Sequence, residues 1–208
     1  MKQVIIALML ATTFVACQRE SGTSKAPLIV DVEQNYLNDP LILPIAKEYY
    51  QGRKPTENVQ TLDMLDSLFS QDSVRLRFYF AATTKLIGQQ MNFREIVSLY
   101  AFKFVRDRPL EFISQFSKDN PLLESNNGAW DVWCLNVGYE AIMKDSLAPF
   151  QALDVIEQNM KARFRTVSPN AMELGATFIA NTRAKIIKLQ NEPPRIAPPK
   201  EALPKETE

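Results

Sequence analysis

Helix-start and helix-stop signals recur at near-regular intervals between residues 40 and 190, and this rhythm constrains the fold more than any other feature of the sequence. Proline suits the first position of a helix because its missing N–H has no partner there, and glycine suits the residue at which a helix ends. Most segments between these signals carry apolar residues three or four apart, which indicates one buried helix face. The predicted helices are 44–51, 57–69, 73–87, 93–106, 109–117, 129–143, 149–165 and 169–190, with a short turn at Pro121.

Several predicted helices also begin at a side chain that can accept a backbone hydrogen bond. Thr56 and Asp72 are predicted N-caps, and Asn92 with Glu95 resembles a capping box. The stretch 74–80 partly alternates apolar and polar residues as a strand does. It runs into the following residues without a turn signal, so we predict a buried helix there.

The predicted class is therefore all-α, built from antiparallel helical hairpins in a single domain over residues 28–190. Helix starts lie about 16 to 20 residues apart, so a pair of helices recurs about every 36 to 40 residues, the size of a HEAT- or TPR-type repeat. No residue-by-residue repeat accompanies this spacing. A short α-solenoid and an irregular helical bundle both remain open.

The N-terminal segment 1–16 is typical of a secretory signal peptide. Lys2 precedes a largely apolar stretch, Val4 to Ala16, of 13 residues. A helix of that length spans about 20 Å, which is too short for a hydrocarbon core of about 30 Å. The end of this stretch, Phe14-Val15-Ala16-Cys17, resembles the lipobox of bacterial lipoproteins.

The resemblance implies that Cys17 is the site of lipid attachment and that the peptide is cut before it. Residues 17–27 are then a lipidated cysteine and a polar tether, and the membrane is a partner of the chain. Gln18 after the cysteine favours the outer membrane over the inner one by the same resemblance. The proline-rich segment 191–208 has few large apolar side chains, and we predict a disordered tail.

Composition excludes several classes of function. The chain has 24 basic and 24 acidic residues and no histidine, so its zero net charge does not predict a nucleic-acid partner. The absence of histidine excludes Ser-His-Asp triads and His-containing metal sites. No Cys-x-x-Cys motif or glycine-rich phosphate loop occurs, and we expect neither a metal nor a cofactor. Cys134, among apolar neighbours, is predicted to be a buried small hydrophobe.

The segment 125–140 is the most unusual stretch of the sequence. It holds both tryptophans, Trp130 and Trp133, three residues apart on a helix that follows an Asn-Asn-Gly turn, and Tyr139 lies further along. Exposed aromatic residues of this kind are anchors for a protein partner. Buried, they are large core residues that need one polar partner. We favour the core and keep the three residues as candidate binding anchors.

These features predict a membrane-anchored envelope lipoprotein that acts as a non-catalytic binding or adaptor module, such as an immunity-type protein or an assembly partner. The alternative is a histidine-free hydrolase of cell-wall glycan that uses paired carboxylates. Asp63 and Asp66 lie one turn apart, and Glu140 and Glu173 could line a cleft. A solvated helix face is the simpler interpretation of the aspartate pair.

The anchor can be tested in cells that express the full chain. Cys17→Ala removes the thiol to which the acyl chains would be attached, so incorporation of a fatty-acid probe should fall to background. The measurement is probe labelling of the immunoprecipitated protein, compared at equal expression. Equal labelling of the wild type and the variant would contradict the lipoprotein prediction.

Overall fold

The computed structural model describes residues 27–54, 58–89, 93–117, 120–123, 125–165 and 169–191. The predicted signal peptide, Cys17, all of the tether before Pro27 and the tail from residue 192 lie outside the described residues, as do Thr56 and Asn92. The predictions on these segments are therefore not tested by the structure.

The described residues form nine α-helices and no strand, which confirms the all-α class. The helices, in chain order, are α1 (Pro27–Asn38), α2 (Pro44–Tyr50), α3 (Val59–Ser70), α4 (Ser73–Gly88), α5 (Arg94–Asp107), α6 (Pro109–Ser117), α7 (Asn126–Lys144), α8 (Pro149–Phe164) and α9 (Pro169–Asn191). None of the helices in these ranges is both long and apolar enough to cross a bilayer.

Most helix boundaries agree with the sequence analysis to within one or two residues, and the ambiguous stretch 74–80 is helical. Two boundaries differ. Pro27, assigned to the tether, is the first residue of α1, a helix that the sequence analysis did not predict. The Asn-Asn-Gly sequence is the first turn of α7 and not a separate turn before it, because the Ser125 hydroxyl accepts from Gly128 N and caps the helix.

The capping predictions are partly confirmed. Asp72 accepts hydrogen bonds from Val74 N and Arg75 N at the start of α4. The N-cap of α3 is Asn58, and that of α5 is Phe93, which provides no side-chain cap. The predicted capping residues Thr56 and Asn92 lie outside the described residues, so the capping box of Asn92 with Glu95 stays a prediction. Gly52 has φ +98°, the left-handed conformation that favours glycine after a helix.

Helices that are near but not adjacent in the chain pack side by side in the same direction. Leu43 N donates to Tyr79 Oη and Lys85 Nζ donates to the Tyr50 carbonyl, at sequence separations of 36 and 35. A nearly constant separation means that α2 and α4 run parallel, because residue numbers rise together along both helices.

The same register continues through the rest of the chain. Trp133 Nε1 donates to Thr84 Oγ1 and Asn136 Nδ2 donates to the Ile87 carbonyl, each at a separation of 49, so α4 and α7 are parallel. Cys134 Sγ of α7 contacts the Phe178 carbonyl of α9, and Gln190 of α9 donates to the Ser146 carbonyl just after the end of α7. Both contacts have a separation of 44, so α7 and α9 also run parallel. The helices α2, α4, α7 and α9 therefore form one layer of parallel neighbours, as the first helices of stacked hairpins do.

A shared aromatic core distinguishes this fold from an open solenoid. Phe80 of α4 stacks on Trp133 of α7, with ring centroids 4.7 Å apart. Phe112 of α6 contacts Trp133 and also Phe178 of α9, at centroid distances of 5.4 and 4.7 Å. In a regular solenoid each repeat contacts only its neighbours. Here, hairpins stacked as in a solenoid enclose one common core as in a bundle.

Side chains that are distant in the chain cap four successive helix C-termini, whose last carbonyls have no partner within their own helix. The bonds run from Lys85 to Tyr50 O of α2, from Arg108 to Leu68 O of α3, from Asn136 to Ile87 O of α4 and from Asn159 to Arg106 O of α5. Each bond joins residues 35 to 53 positions apart. These helix ends are thus completed by the tertiary structure.

Close packing of α8 against α9 depends on Gly175, where a Cβ would lie 2.7 Å from Phe164 Cε2 and 3.3 Å from Met160 Sδ. Phe164 is buried and cannot move aside cheaply. We expect Gly175→Ala to lower the free energy of unfolding by about 1–3 kcal/mol, measured by thermal or denaturant unfolding of the full chain.

Gly88→Ala is the matched control, since its Cβ would meet only Val132 at an ordinary 3.7 Å. That variant should be unchanged or more stable by up to about 1 kcal/mol, because alanine restricts the unfolded chain. A Gly175→Ala protein as stable as Gly88→Ala would show that the α8–α9 contact is looser than described.

Candidate functional site

Trp133 of α7 is completely buried, with an exposed fraction of 0%. Its indole N–H donates to Thr84 Oγ1 at 2.9 Å, and the Thr84 hydroxyl donates in turn to the Phe80 carbonyl at 2.7 Å. The indole therefore has the one polar partner that a buried tryptophan needs. Trp133 is a core residue, as favoured from the sequence, and offers no surface to a partner.

The other two aromatic candidates are half-buried. Trp130 packs edge-on against Phe116 and Phe178, with ring centroids 4.9 and 5.3 Å away. Tyr139 lies under the guanidinium of Arg94, 5.1 Å from the ring centroid. Trp130 is thus an extension of the core, and Tyr139 is a half-buried residue whose ring is in cation–π contact with Arg94. A binding role for either residue stays a prediction.

A cleft of about 450 Å³ lies between the parallel helices α4 and α7, next to the core tryptophan. The α4 wall is formed by Ala81, Thr84, Lys85 and Gly88, the α7 wall by Gly128, Ala129 and Val132, and the ends by Gly52, Gln89, Leu122, Leu123 and Ser125. The space exists because alanine and glycine occupy much of both facing walls. Its volume falls within the range of about 300–1,000 Å³ typical of ligand pockets.

The cleft is mostly apolar, with a few polar groups whose positions are fixed. The Thr84 hydroxyl is held by the indole and by the Phe80 carbonyl. The Lys85 ammonium donates to the Tyr50 carbonyl at 2.8 Å and lies 4.5 Å from the centroid of the Tyr50 ring. Apolar walls with few oriented polar groups are the usual design of a binding pocket.

Sequence reasoning missed this cleft. The run of small residues in α4, from Ala81 to Thr84, stands out in a helix that otherwise carries bulky apolar side chains. The small residues Gly128 and Ala129 in α7 are a second such signal. Each signal alone is compatible with a tight helix contact, and only the packing of α4 beside α7 shows that the two face each other across open space.

None of the carboxylates considered for hydrolysis lines the cleft. Asp63 and Asp66 are exposed on α3, which confirms the solvated-face interpretation. Glu140 lies on α7 and Glu173 is exposed on α9. Of the described residues that line the cleft, none is acidic.

A smaller depression of about 190 Å³ contains a different acidic pair, Glu48 of α2 and Asp63 of α3. Glu48 forms an ion pair with Arg53. The general acid of a glycoside hydrolase is a carboxyl group in apolar surroundings, whereas Glu48 contacts a guanidinium. This depression therefore does not match the environment expected of that catalytic pair.

Glu140 is the most buried carboxylate of the described chain, with an exposed fraction of 7%. Burial raises the pKa of its carboxyl group above the ordinary value, and the nearby ammonium of Lys144, 3.5 Å away, opposes the increase. Lys144 also lies 5.2 Å from the ring centroid of Phe102. The pair joins two turns of α7 and lies apart from the residues that line the cleft.

Comparisons with known proteins give no relative from which a function could be transferred. No protein-family model matches the chain, and searches of curated proteins and of solved structures found no match. Among the described residues, no group of three or more His, Cys, Asp or Glu side chains is placed to hold a metal ion. Functional inference therefore depends on the cleft and the sequence signals.

Cys134 is buried and unpaired, and its sulfur lies 4.0 Å from the Phe178 carbonyl. Burial raises the pKa of the thiol to about 12. At pH 8 only on the order of one thiol in 10,000 is then ionised, and the thiolate is the reactive form. The structure thus confirms that Cys134 is a small apolar core residue.

We expect Cys134 to remain unmodified by a maleimide at pH 8 in the native full chain and to react within minutes after unfolding in guanidinium. The measurement is mass spectrometry of the peptide that contains Cys134, so that Cys17 does not interfere. Rapid native modification at Cys134 would show that α7 opens from α9 far more often than the packing implies.

Proposed function

We propose that this chain is a lipid-anchored protein of the bacterial cell envelope that acts as a non-catalytic binding module, with the cleft between α4 and α7 as its ligand site. The cleft is the observation that carries the proposal, because it combines apolar walls with a few fixed polar groups. The lipobox-like sequence that ends at Cys17 supports the anchor, and Gln18 supports the outer membrane.

A protein segment is the ligand that suits this site best. The cleft runs along the parallel helices α4 and α7, and stacked helical hairpins commonly bind extended partners in such grooves. Its wall from Ala81 to Gly88 extends about 10 Å along α4, the length of about three residues of extended chain. A binding surface of this kind is consistent with an adaptor or immunity-type role in the envelope.

Catalysis receives less support than binding. A carboxylate hydrolase needs two acids that face each other across a substrate cleft at about 5–9.5 Å. The described residues lining the cleft provide hydroxyl, amide and ammonium groups on apolar walls. Such groups orient a ligand by hydrogen bonds, whereas acid–base hydrolysis requires a proton donor and a base or nucleophile.

The proposal is tested by photo-cross-linking in intact cells that express the full chain. A benzophenone amino acid at Gln89, in the cleft, should give one defined protein adduct. The same amino acid at Val59, which is 72% exposed at the start of α3, is the control and should not give that adduct. Adducts are identified by mass spectrometry.

A second variant links the adduct to the cleft itself. Ala129→Leu places a larger side chain in the wall and should reduce the adduct from position 89 at least about five-fold, whereas Ala180→Leu on the exposed side of α9 should not. Both variants must keep the wild-type melting temperature. Identical adducts from positions 89 and 59, or cleavage of cell-wall glycan by the purified protein, would overturn the proposal.

A further inference from the structure

The last helical hairpin, α8 with α9, has exposed apolar side chains on its outer surface. Of the large apolar residues that are exposed in the described chain, five belong to this hairpin and the turn before it: Leu147, Phe150, Val155, Met172 and Ile187. A terminal hairpin of a stacked array normally has a polar outer face, because no further repeat covers it. Apolar residues exposed at the end of the stack therefore mark a surface on which another segment packs.

Hydrogen bonds show how α8 and α9 lie against each other. Arg183 Nη2 of α9 donates to Asp154 Oδ1 of α8 at 2.7 Å, and Gln190 Nε2 donates to the Ser146 carbonyl just before α8. Residue numbers thus fall along α8 as they rise along α9. The two helices are therefore antiparallel, and a groove runs along the outer side of their contact.

This outer groove has two apolar ends and a charged middle. At one end lie Phe150 and Ile187, which the antiparallel register places side by side and which are 37% and 51% exposed. At the other end Met172 borders a depression of about 70 Å³ between the two helices. The ion pair of Arg183 with Asp154 lies between the two ends.

The C-terminal segment 192–208 begins beside the first of these ends. The last residue of α9, Asn191, follows Ile187 by one helix turn, a rise of about 6 Å. The first large apolar residue of the segment, Ile196, follows Asn191 by five positions, which span about 15 Å in an extended proline-rich chain. Ile196 can therefore reach back to the Phe150–Ile187 end of the groove.

The spacing of apolar residues in the segment matches the spacing of the two groove ends. Ile196 and Leu203, its two large apolar residues, are seven positions apart in a stretch rich in proline. In the polyproline II conformation they are about 22 Å apart. Ile187 and Met172 are 15 positions apart on α9, which is also about 22 Å.

From this match we infer that the C-terminal segment docks along the outer groove of its own chain, with Ile196 at one apolar end and Leu203 at the other. The sequence alone predicts disorder for this segment because it has few apolar residues, but the groove offers burial to both of them. Prolines restrict the free segment and so lower the entropy cost of docking. None of the groove residues lines the cleft between α4 and α7, so this inference is independent of the proposed function.

Two identical tripeptides in the segment supply a test with an internal control. Pro199-Lys200-Glu201 lies between the two docked residues, and Pro204-Lys205-Glu206 lies beyond Leu203. A lysine-specific protease meets the same neighbours at both bonds, so a difference in cleavage rate reports access. In the full chain we expect cleavage after Lys200 to be about ten-fold slower than after Lys205, which corresponds to about nine chains in ten being docked. Initial rates are measured by mass spectrometry of the intact chain.

Variants connect this difference to the groove. Ile187→Asp changes the groove but not the segment, and Leu203→Ala changes the segment but not the folded domain; each should make the two rates equal. Val155→Asp is the matched control and should keep the difference. Val155 is 56% exposed and lies about 160° around α8 from Glu157, which bonds to Arg183 of α9. Each variant is first matched to the wild type in melting temperature.

Three results would overturn the inference. The first is equal cleavage after both lysines in the wild type. The second is protection of Lys200 that persists in Ile187→Asp and in Leu203→Ala. The third is protection that disappears on about hundred-fold dilution, because docking within one chain does not depend on concentration, whereas docking on a second copy does.

Discussion

The contact of Trp133 with Phe80 and Thr84 fixes α7 against α4, and the rest of the structure is arranged around it. The indole stacks on Phe80 with an interplanar angle of 4°, and its N–H bonds to Thr84 Oγ1. Aromatic stacking of this kind contributes about 0.5–1.5 kcal/mol beyond burial, and the hydrogen bond sets the register of the two helices. The cleft lies beside this contact, because Thr84, which accepts the indole N–H, is one of the residues that line it.

Hydrogen bonds at helix C-termini connect the Trp133–Thr84 contact to the neighbouring helices. Lys85, next to Thr84, completes the C-terminus of α2, and Asn136, one turn after Trp133, completes that of α4 and also accepts from Ser98 of α5. When the last carbonyls of a helix are hydrogen-bonded only by a side chain of another segment, those hydrogen bonds are lost when that segment unfolds. We therefore expect α2, α4, α5 and α7 to unfold together, which suits a binding site built from residues of several helices.

The sequence predicted the helices well because their signals are local. Asp72 at the start of α4 and Pro149 at the start of α8 act on backbone groups within a few residues, and apolar spacing marks the buried face. The start of α7 was predicted less well, because Asn-Asn-Gly is a turn signal in the sequence, whereas the Ser125 cap makes it the first turn of the helix. The cleft was missed because Ala81 and Ala129 are 48 positions apart, and no local pattern says that two small residues will face each other.

The sequence by itself determined the all-α class, most helix boundaries and the buried state of Cys134, since spacing, caps and apolar neighbours act over one or two turns. It also carried the lipobox-like motif at Cys17, on which the proposed anchor rests. Only the tertiary structure decided that Trp133 is fully buried while Tyr139 is half-buried, and that α4 and α7 run parallel with a cleft between them. These outcomes depend on which helix faces which, and that is set by the summed packing of side chains far apart in the chain.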